Sequence, residues 1–135
     1  MANLLVVEDE PGILSQLSAL LQRTKHSVAT AADGSEAIKL LGLESGAAAL
    51  PDVVILDIMM PNANGYAVVS KMQQSPLAKN VPIILLSGYT DLEEVFRKFK
   101  NVKAFLPKPF EPPALLNVLA DVLAARRSTQ PAAEA

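Results

Sequence analysis

Short apolar runs alternate along the chain with longer segments in which apolar residues recur three and four positions apart. The short runs occupy residues 4–7, 27–31, 53–56, 82–86 and 104–106, and the β-branched ones are typical of strands buried on both faces. The longer segments predict helices that begin near Pro11, cover residues 36–43, 65–74 and 91–100, and start again at Pro112. Five such β/α units predict an α/β fold, with a doubly wound, five-stranded parallel sheet and helices on both faces.

Each predicted helix has an apolar face that should contact the sheet. In chain order these faces consist of Ile13, Leu14, Leu17, Leu20 and Leu21; Ala37, Ile38, Leu40 and Leu41; Val68, Val69 and Met72; Leu92, Val95, Phe96 and Phe99; and Leu115, Leu116, Leu119, Val122 and Leu123. Residues 42–51 and 75–81 read as loops. Residues 1–125 are therefore expected to form one domain, and residues 126–135 a polar tail that is expected to be disordered.

Four of the five predicted strands run into residues with useful chemistry. Glu8 and Asp9 follow the first strand, Asp57 the third, Ser87 the fourth and Lys108 the fifth. Open α/β sheets bind ligands outside the carboxyl ends of their strands, so these side chains should meet at one edge. Each also has a structural explanation by itself, because an acid or a serine after a strand can cap the next helix and a lysine can simply be solvated.

Three carboxylates at one edge of the sheet repel one another, and their negative charge must be compensated. Two charges about 4 Å apart repel by about 4 kcal/mol at an effective dielectric constant near 20, so a proton or a cation must offset them. Oxygen ligands without sulfur or imidazole favour Mg²⁺ or Mn²⁺. Asp57 is then both a metal ligand and a candidate nucleophile, because a carboxylate can take a phosphoryl group. The pattern predicts a phosphoryl-transfer site that works by positioning and electrostatics.

Composition narrows the alternatives. The chain has 135 residues, no cysteine, a single histidine and a net charge of -2 without a dense basic block. Thiolate chemistry is thereby excluded, a histidine-rich metal site is impossible, and direct nucleic-acid binding by charge is disfavoured. The N-terminus lacks the features of a signal peptide and no apolar run reaches the about 20 residues of a membrane span, so we expect a cytoplasmic protein without membrane insertion.

Four motifs in this order resemble the receiver domains of two-component response regulators, particularly the stand-alone, chemotaxis-type receivers. They are Val6-Val7-Glu8-Asp9-Glu10, Leu56-Asp57-Ile58-Met59-Met60-Pro61 with Gly65, Leu85-Leu86-Ser87-Gly88, and Phe105-Leu106-Pro107-Lys108-Pro109-Phe110. The resemblance covers about residues 3–123 and implies the flavodoxin-like strand order 2-1-3-4-5. Two departures are the loop Asn62-Ala63-Asn64, where the family often has an acid before the glycine, and the absence of the usual Gly-Ala pair before the fifth strand.

The resemblance also implies a role for each site residue. Asp57 would be phosphorylated by a sensor histidine kinase or a histidine phosphotransfer protein. Mg²⁺ would bind Asp9, Asp57 and the backbone carbonyl of Met59, with Glu8 acting through water. Ser87 and Lys108 would contact the phosphoryl group.

Further implied roles concern switching, hydrolysis and docking. Ser87 and Phe105 would form the switch, although core packing alone could also account for Phe105. Met59 and Tyr89 would flank the path of the hydrolytic water and, being bulky, prolong the phosphorylated state. The remaining candidates, Gly12, Ile13 and Pro109, match positions that dock the partner's helical bundle. The output would be the face formed by the fourth predicted helix, the fifth strand and the last helix, which would bind a downstream protein or a second copy.

Two alternatives come from other functional classes. The first is a receiver-fold interaction module that is not regulated by phosphate, although the complete set of site residues argues against it. A dehalogenase-like phosphohydrolase would also use Asp57, but it needs a second aspartate at the position of Met59, so its general acid is missing. We therefore expect no enzyme activity beyond self-catalysed phosphorylation and autodephosphorylation. The chain is either a stand-alone receiver or one domain of a longer protein.

Overall fold

The computed structural model describes residues 2–43, 50–58, 65–87, 96–108 and 110–129. These ranges contain five strands and four α-helices, and an α-helix follows each of the first three strands and the last one. The strands are β1 (Asn3–Val7), β2 (Ser27–Ala31), β3 (Val53–Asp57), β4 (Ile83–Ser87) and β5 (Val102–Pro107). The α-helices are α1 (Pro11–Gln22), α2 (Gly34–Leu40), α3 (Gly65–Gln74) and α4 (Pro112–Thr129), and a 3₁₀ turn covers Ala78–Asn80.

The strands form one parallel sheet in the order β2-β1-β3-β4-β5, which confirms the predicted α/β class and strand order. Every residue of β3 and of β4 is buried, as the continuous apolar runs predict for central strands. The outer strand β2 alternates exposed and partly covered residues and becomes buried only at Ala31. The carboxyl ends of all five strands therefore lie along one edge.

Side chains from the two faces of the sheet enter two separate cores. One face packs against α2 and α3, and its core includes Val54, Leu56, Val69 and Phe96. The opposite face packs against α1 and α4, and its core includes Val6 and Ile55. Period-2 alternation of side chains along β1 and β3 divides their residues between these cores, so helices are needed on both sides.

The structure corrects one predicted core residue. Leu40 was expected to face the sheet, but 44 % of its surface is exposed. Helix α2 starts at Gly34, where Asp33 caps it by accepting a hydrogen bond from the Glu36 amide at 2.8 Å, and it ends at Leu40. Over so short a helix Ala37 and Ile38 already fill the inner face, and Leu40 turns outward.

The ends of other elements also differ from the sequence pattern. Helix α4 runs to Thr129, beyond the boundary predicted at residue 125, while residues 130–135 lie outside the described residues. Of the helix predicted over residues 91–100, only residues 96–100 are described. The predicted loop over residues 75–81 contains the 3₁₀ turn. None of the described helices is long and apolar enough to cross a membrane.

Candidate phosphoryl-transfer site

The ends of β1, β3, β4 and β5 bring the predicted site residues together. Asp57 is the last residue of β3 and Ser87 the last of β4, while Glu8 and Lys108 come directly after β1 and β5. Backbone hydrogen bonds continue the sheet ladder at these positions. The Glu8 amide donates to Ala31 at 3.1 Å, and the Lys108 amide donates to Ser87 at 2.8 Å. The backbones of Glu8 and Lys108 are thus held by hydrogen bonds to neighbouring strands.

The Lys108 ammonium is the cation that faces two buried carboxylates. Its Nζ lies 2.9 Å from Glu8 Oε1 and 3.2 Å from Asp57 Oδ2. Only 1 % of Glu8 and 4 % of Asp57 are exposed. The second Glu8 oxygen, Oε2, accepts a hydrogen bond from the Glu10 amide at 3.3 Å. Lys108 thereby compensates negative charge that burial would otherwise make costly.

The surroundings of Lys108 raise its pKa above the ordinary value of 10.5. Burial is the largest single influence and lowers the pKa, because it disfavours the charged ammonium. The hydrogen bond to Glu8 and the negative charges of Asp57 and Glu8 act in the opposite direction and together outweigh it. Lys108 is therefore held as a cation at neutral pH.

The three acids fit a hard divalent cation. Glu8, Asp9 and Asp57 each offer a carboxylate oxygen, and these oxygens all lie within 4.8 Å of one another. In their ionised forms the three acids carry a formal charge of -3, of which Lys108 neutralises one unit. A divalent ion would balance the remainder, and the donor set consists of oxygen alone, as Mg²⁺ and Mn²⁺ prefer.

The two predicted switch residues lie on neighbouring strands beside this cluster. Ser87 is buried at the end of β4, next to β3, and its carbonyl accepts the Lys108 amide. Phe105 lies within β5 and pairs with Leu85 in the sheet register. Its half-buried ring packs against the core on the α2 and α3 side and contacts the ring of Phe96.

Helix α3 begins in direct contact with the end of β3. The Gly65 amide donates to the Ile58 carbonyl at 2.7 Å. A Cβ on Gly65 would lie 2.7 Å from Ile58 Cα, closer than real Cβ atoms approach backbone, and 3.1 Å from the Asp57 carbonyl oxygen, which is also a tight contact. Glycine is therefore required for the first residue of α3 to approach the strand that carries Asp57.

The residues predicted to dock a partner fall partly along a groove between α1 and the start of α4. Ile13 is half-buried and lines this groove, whereas Gly12 is exposed one residue earlier in α1. The groove has a volume of about 630 Å³ and is lined by Ile13, Gln16, Leu20, Lys108, Phe110 and Pro112. The remaining predicted residues, Met59, Tyr89 and Pro109, lie outside the described residues.

Leu20 packs against the core on the sheet side of α1, as predicted, and it is only half-buried because it also lines the groove. The sequence pattern does not predict one contact near the site. The Lys98 ammonium donates a hydrogen bond to the Tyr66 hydroxyl, and the two residues are 32 positions apart in the chain. Local periodicity does not predict a contact at such a separation. The sequence shows only that an aromatic residue directly follows Gly65.

Comparison with known proteins gives a consistent result. A sequence model of the family described as "Response regulator receiver domain" matches residues 4–120. Protein PilH of Pseudomonas aeruginosa is 30% identical over 125 residues, which cover 92% of this chain and 99% of PilH. Response regulator SaeR of Staphylococcus aureus is 32% identical over 86% of this chain, but the matched part spans 48% of SaeR, about half of its length.

Two solved structures have the same fold. The receiver domain of a signal transduction histidine kinase from Syntrophus aciditrophicus superposes with a TM-score of 0.81 at 27% identity, covering 96% of each chain. The chemotaxis response regulator CheY4 of Vibrio cholerae gives a TM-score of 0.78 at 34% identity, covering 91% of this chain and 99% of CheY4.

Proposed function

Because the chain belongs to the receiver domains of response regulators, we propose that its Asp57 carboxylate accepts a phosphoryl group from a phosphohistidine. The donor is a sensor histidine kinase or a histidine phosphotransfer protein. The observation that carries the assignment is the buried Asp57 carboxylate at a strand end, 3.2 Å from the Lys108 ammonium and within the acidic cluster. A carboxylate placed only for structure would not need two further acids beside it.

The transfer is a displacement at phosphorus. An Asp57 oxygen attacks the phosphorus atom, and the phosphorus–nitrogen bond of the phosphohistidine breaks. The electron pair of that bond returns to the imidazole nitrogen, which then takes a proton. Asp57 becomes an acyl phosphate, a covalent form that carboxylate nucleophiles are known to adopt.

We assign the metal to Asp9, Asp57 and the carbonyl of Met59, with Glu8 acting through water. A bound Mg²⁺ would supply charge stabilisation for the phosphoryl oxygens. The existing contacts of Glu8 support its outer role, because its two oxygens already accept hydrogen bonds from Lys108 and from the Glu10 amide. Asp9 is only half-buried and has an oxygen within the cluster.

Ser87 and Lys108 would hold the phosphoryl group once it is on Asp57. Lys108 already contacts Asp57, so a small movement of its flexible side chain would bring the ammonium to a phosphoryl oxygen. Ser87 ends the neighbouring strand and would donate its hydroxyl to a second oxygen. Its movement would free space for the Phe105 ring and change the face that includes β5 and α4, which would then bind a downstream protein or a second copy.

The donor's helical bundle would dock on the groove beside α1. The groove is largely apolar, and Lys108, which lines it, also contacts Asp57 and so connects the groove with the proposed phosphorylation site. Gly12, Ile13 and Pro109 would contact the bundle at this position. A helix seated there would present its histidine near Asp57, which meets the positional requirement of an in-line transfer.

We assign no other enzyme activity to the chain. Its chemistry is self-catalysed phosphorylation from the donor, followed by hydrolysis in which water attacks phosphorus and the bond to the Asp57 oxygen breaks. Met59 and Tyr89 would restrict that water. The protein would act in the cytoplasm through protein partners, without direct nucleic-acid binding or membrane insertion.

Phosphorylation by a small-molecule donor tests this function without the cognate kinase. With acetyl phosphate and Mg²⁺ the intact mass should rise by about 80 Da, which corresponds to one phosphoryl group on a carboxylate. Chelation of the metal should suppress the gain, and Asp57→Asn should abolish it. An Asn variant that gains the same mass would contradict the assignment. A correctly folded wild type that gains none would favour the phosphate-independent interaction module.

A further inference from the structure

Four aromatic rings form a continuous cluster between α3 and β5. The Phe105 ring lies 6.4 Å from the Phe96 ring, and the Phe96 ring lies 5.7 Å from Tyr66 and 6.2 Å from Phe99. Tyr66 and Phe99 complete the cluster at 5.6 Å. Most of these pairs meet edge to face, the arrangement that aromatic quadrupoles favour. The cluster thus links the predicted switch ring to the surface of α3.

Lys98 contacts this aromatic cluster on its solvent-exposed side. The Lys98 ammonium donates a hydrogen bond to the Tyr66 hydroxyl at 2.8 Å. Its Nζ also lies 5.2 Å from the centre of the Tyr66 ring and 5.3 Å from that of Phe99. Both Tyr66 and Lys98 are exposed, so this contact can open without the cost of burying a charge.

The same tyrosine is held close to the phosphorylation strand. Tyr66 directly follows Gly65, whose amide is bonded to the Ile58 carbonyl, and Ile58 directly follows Asp57. A Cβ on Gly65 would collide with the backbone of Ile58, so the two segments are in close backbone contact. Tyr66 therefore has one physical connection to Asp57 through the backbone and another to Phe105 through Phe96.

We propose that Tyr66 is a positioning residue for the phosphorylation switch, and that its contact with Lys98 holds the aromatic cluster, and with it Phe105, in the unphosphorylated arrangement. This inference rests on the proposed phosphorylation of Asp57. Phe96 is 1 % exposed and contacts the rings of Phe105, Tyr66 and Phe99, so in a close-packed interior a displacement of Phe105 affects its neighbours through Phe96. When the Phe105 ring moves into the space that Ser87 frees, the contact between Phe105 and Phe96 changes, and the rings beyond it adjust on the outer side, where Tyr66 and Lys98 separate.

Fluorine NMR of protein labelled with 3-fluorotyrosine tests the proposal directly. The chain contains two tyrosines, so two resonances are expected, and Tyr66→Phe identifies one of them by its loss. Treatment with acetyl phosphate and Mg²⁺ should shift the Tyr66 resonance by more than its linewidth. The same samples are weighed by intact mass spectrometry, which reports phosphorylation independently of the resonance.

Variants on both sides of Tyr66 separate a switch from simple packing. In Phe105→Leu, which keeps an apolar core residue and the backbone contact of Gly65, phosphorylation should shift the Tyr66 resonance by clearly less than in wild type. In Lys98→Met the resonance should already lie near its phosphorylated position before treatment, and Lys98→Arg should restore the wild-type position. If wild type gains the phosphoryl mass while the Tyr66 resonance stays, or if Phe105→Leu shows the full shift, the positioning role is wrong. If no mass is gained, the proposed function itself fails.

Discussion

At the scale of single residues, the site depends on one cation shared by two buried acids. Lys108 lies within hydrogen-bonding distance of Glu8 and contacts Asp57, and the acids are almost fully buried. Removal of a partner from such a group leaves uncompensated buried charge, which costs more than the intact contact gains. The lysine is therefore a structural requirement of this cluster of acids as well as a proposed phosphoryl contact.

Replacement of Lys108 by Met should lower the free energy of unfolding by about 1–3 kcal/mol at pH 7 without added metal. The pKa of Lys108 is raised in the folded protein, so its stabilising contribution is complete below the ordinary value of 10.5 and is lost as pH rises through the raised pKa. Urea denaturation across this range measures the effect. The difference between wild type and Lys108→Met should therefore shrink above pH 10.5.

A matched control for this variant is Lys103→Met, because Lys103 is an exposed lysine on β5, the strand that Lys108 directly follows. Its free energy of unfolding should stay within about 0.5 kcal/mol of wild type. Equal losses in both variants would show that Lys108 contributes nothing through Glu8 and Asp57.

The charge of Asp9 gives a second prediction at this scale. Asp9→Asn keeps the side-chain shape but removes one of three clustered negative charges. Mg²⁺ affinity, measured by calorimetric titration, should fall at least on the order of tenfold. Stability without metal should rise, because repulsion within the cluster is relieved. The control is Glu10→Gln, which changes an exposed neighbouring acid outside the cluster. If Glu10→Gln lowers the Mg²⁺ affinity as much as Asp9→Asn does, Asp9 is not a specific ligand of the metal.

At the scale of elements, the junction between β3 and α3 fixes the position of the helix relative to the strand end that carries Asp57. The first residue of α3 is a glycine that donates its amide to the residue after Asp57. The absence of a side chain at Gly65 allows this approach, which also fixes the start of the helix that carries Tyr66.

Gly65→Ala should lower the free energy of unfolding by about 1–3 kcal/mol, the usual cost of forcing an additional group into packed structure. It should also slow phosphorylation by acetyl phosphate, because the Ile58 backbone must shift beside Asp57. Gly12→Ala serves as the control, since a Cβ there meets nothing within 4 Å. That substitution lies in helix α1 and should be neutral or stabilising by up to about 1 kcal/mol. Similar losses for both variants would contradict the close approach of α3 to β3.

The segments that carry Met59 and Tyr89 give a kinetic prediction. Neither side chain is an acid or amide suited to orient a hydrolytic water, so the phosphorylated form should be long-lived. Met59→Asn and Tyr89→Glu should each speed the loss of phosphate from purified phosphoprotein. The measurement is the decay of the phosphorylated mass over time. Identical decay in wild type and both variants would exclude these residues from the mechanism.

At the scale of the whole molecule, parallel topology made the convergence of these side chains predictable from sequence. Apolar runs that end on Glu8, Asp57, Ser87 and Lys108 must deliver those residues to one sheet edge, whatever the details of the loops. The sequence pattern does not predict which of these side chains contact one another. Lys108 contacts Glu8, which lies 100 positions away in the chain, and no local sequence pattern predicts the partner of a lysine at such a separation.

The features that sequence missed depend on packing between distant elements. Leu40 satisfies the helical period of α2, but the helix ends there and the inner face is already filled. The contact between Tyr66 and Lys98 joins two segments whose relative position follows only from the complete sheet. Periodicity reports which face of an element is buried, whereas contacts between exposed residues of different elements require the assembled structure.

The central claim is that Asp57 carries the phosphoryl group, and reductive trapping tests it most directly. Borohydride reduces an acyl phosphate to an alcohol, so a phosphorylated aspartate becomes homoserine while free carboxylates are unchanged. After treatment with acetyl phosphate and Mg²⁺, peptide mapping should find homoserine at position 57, and at no position without the donor. Homoserine at Asp9 or another acid, with Asp57 intact, would contradict the account.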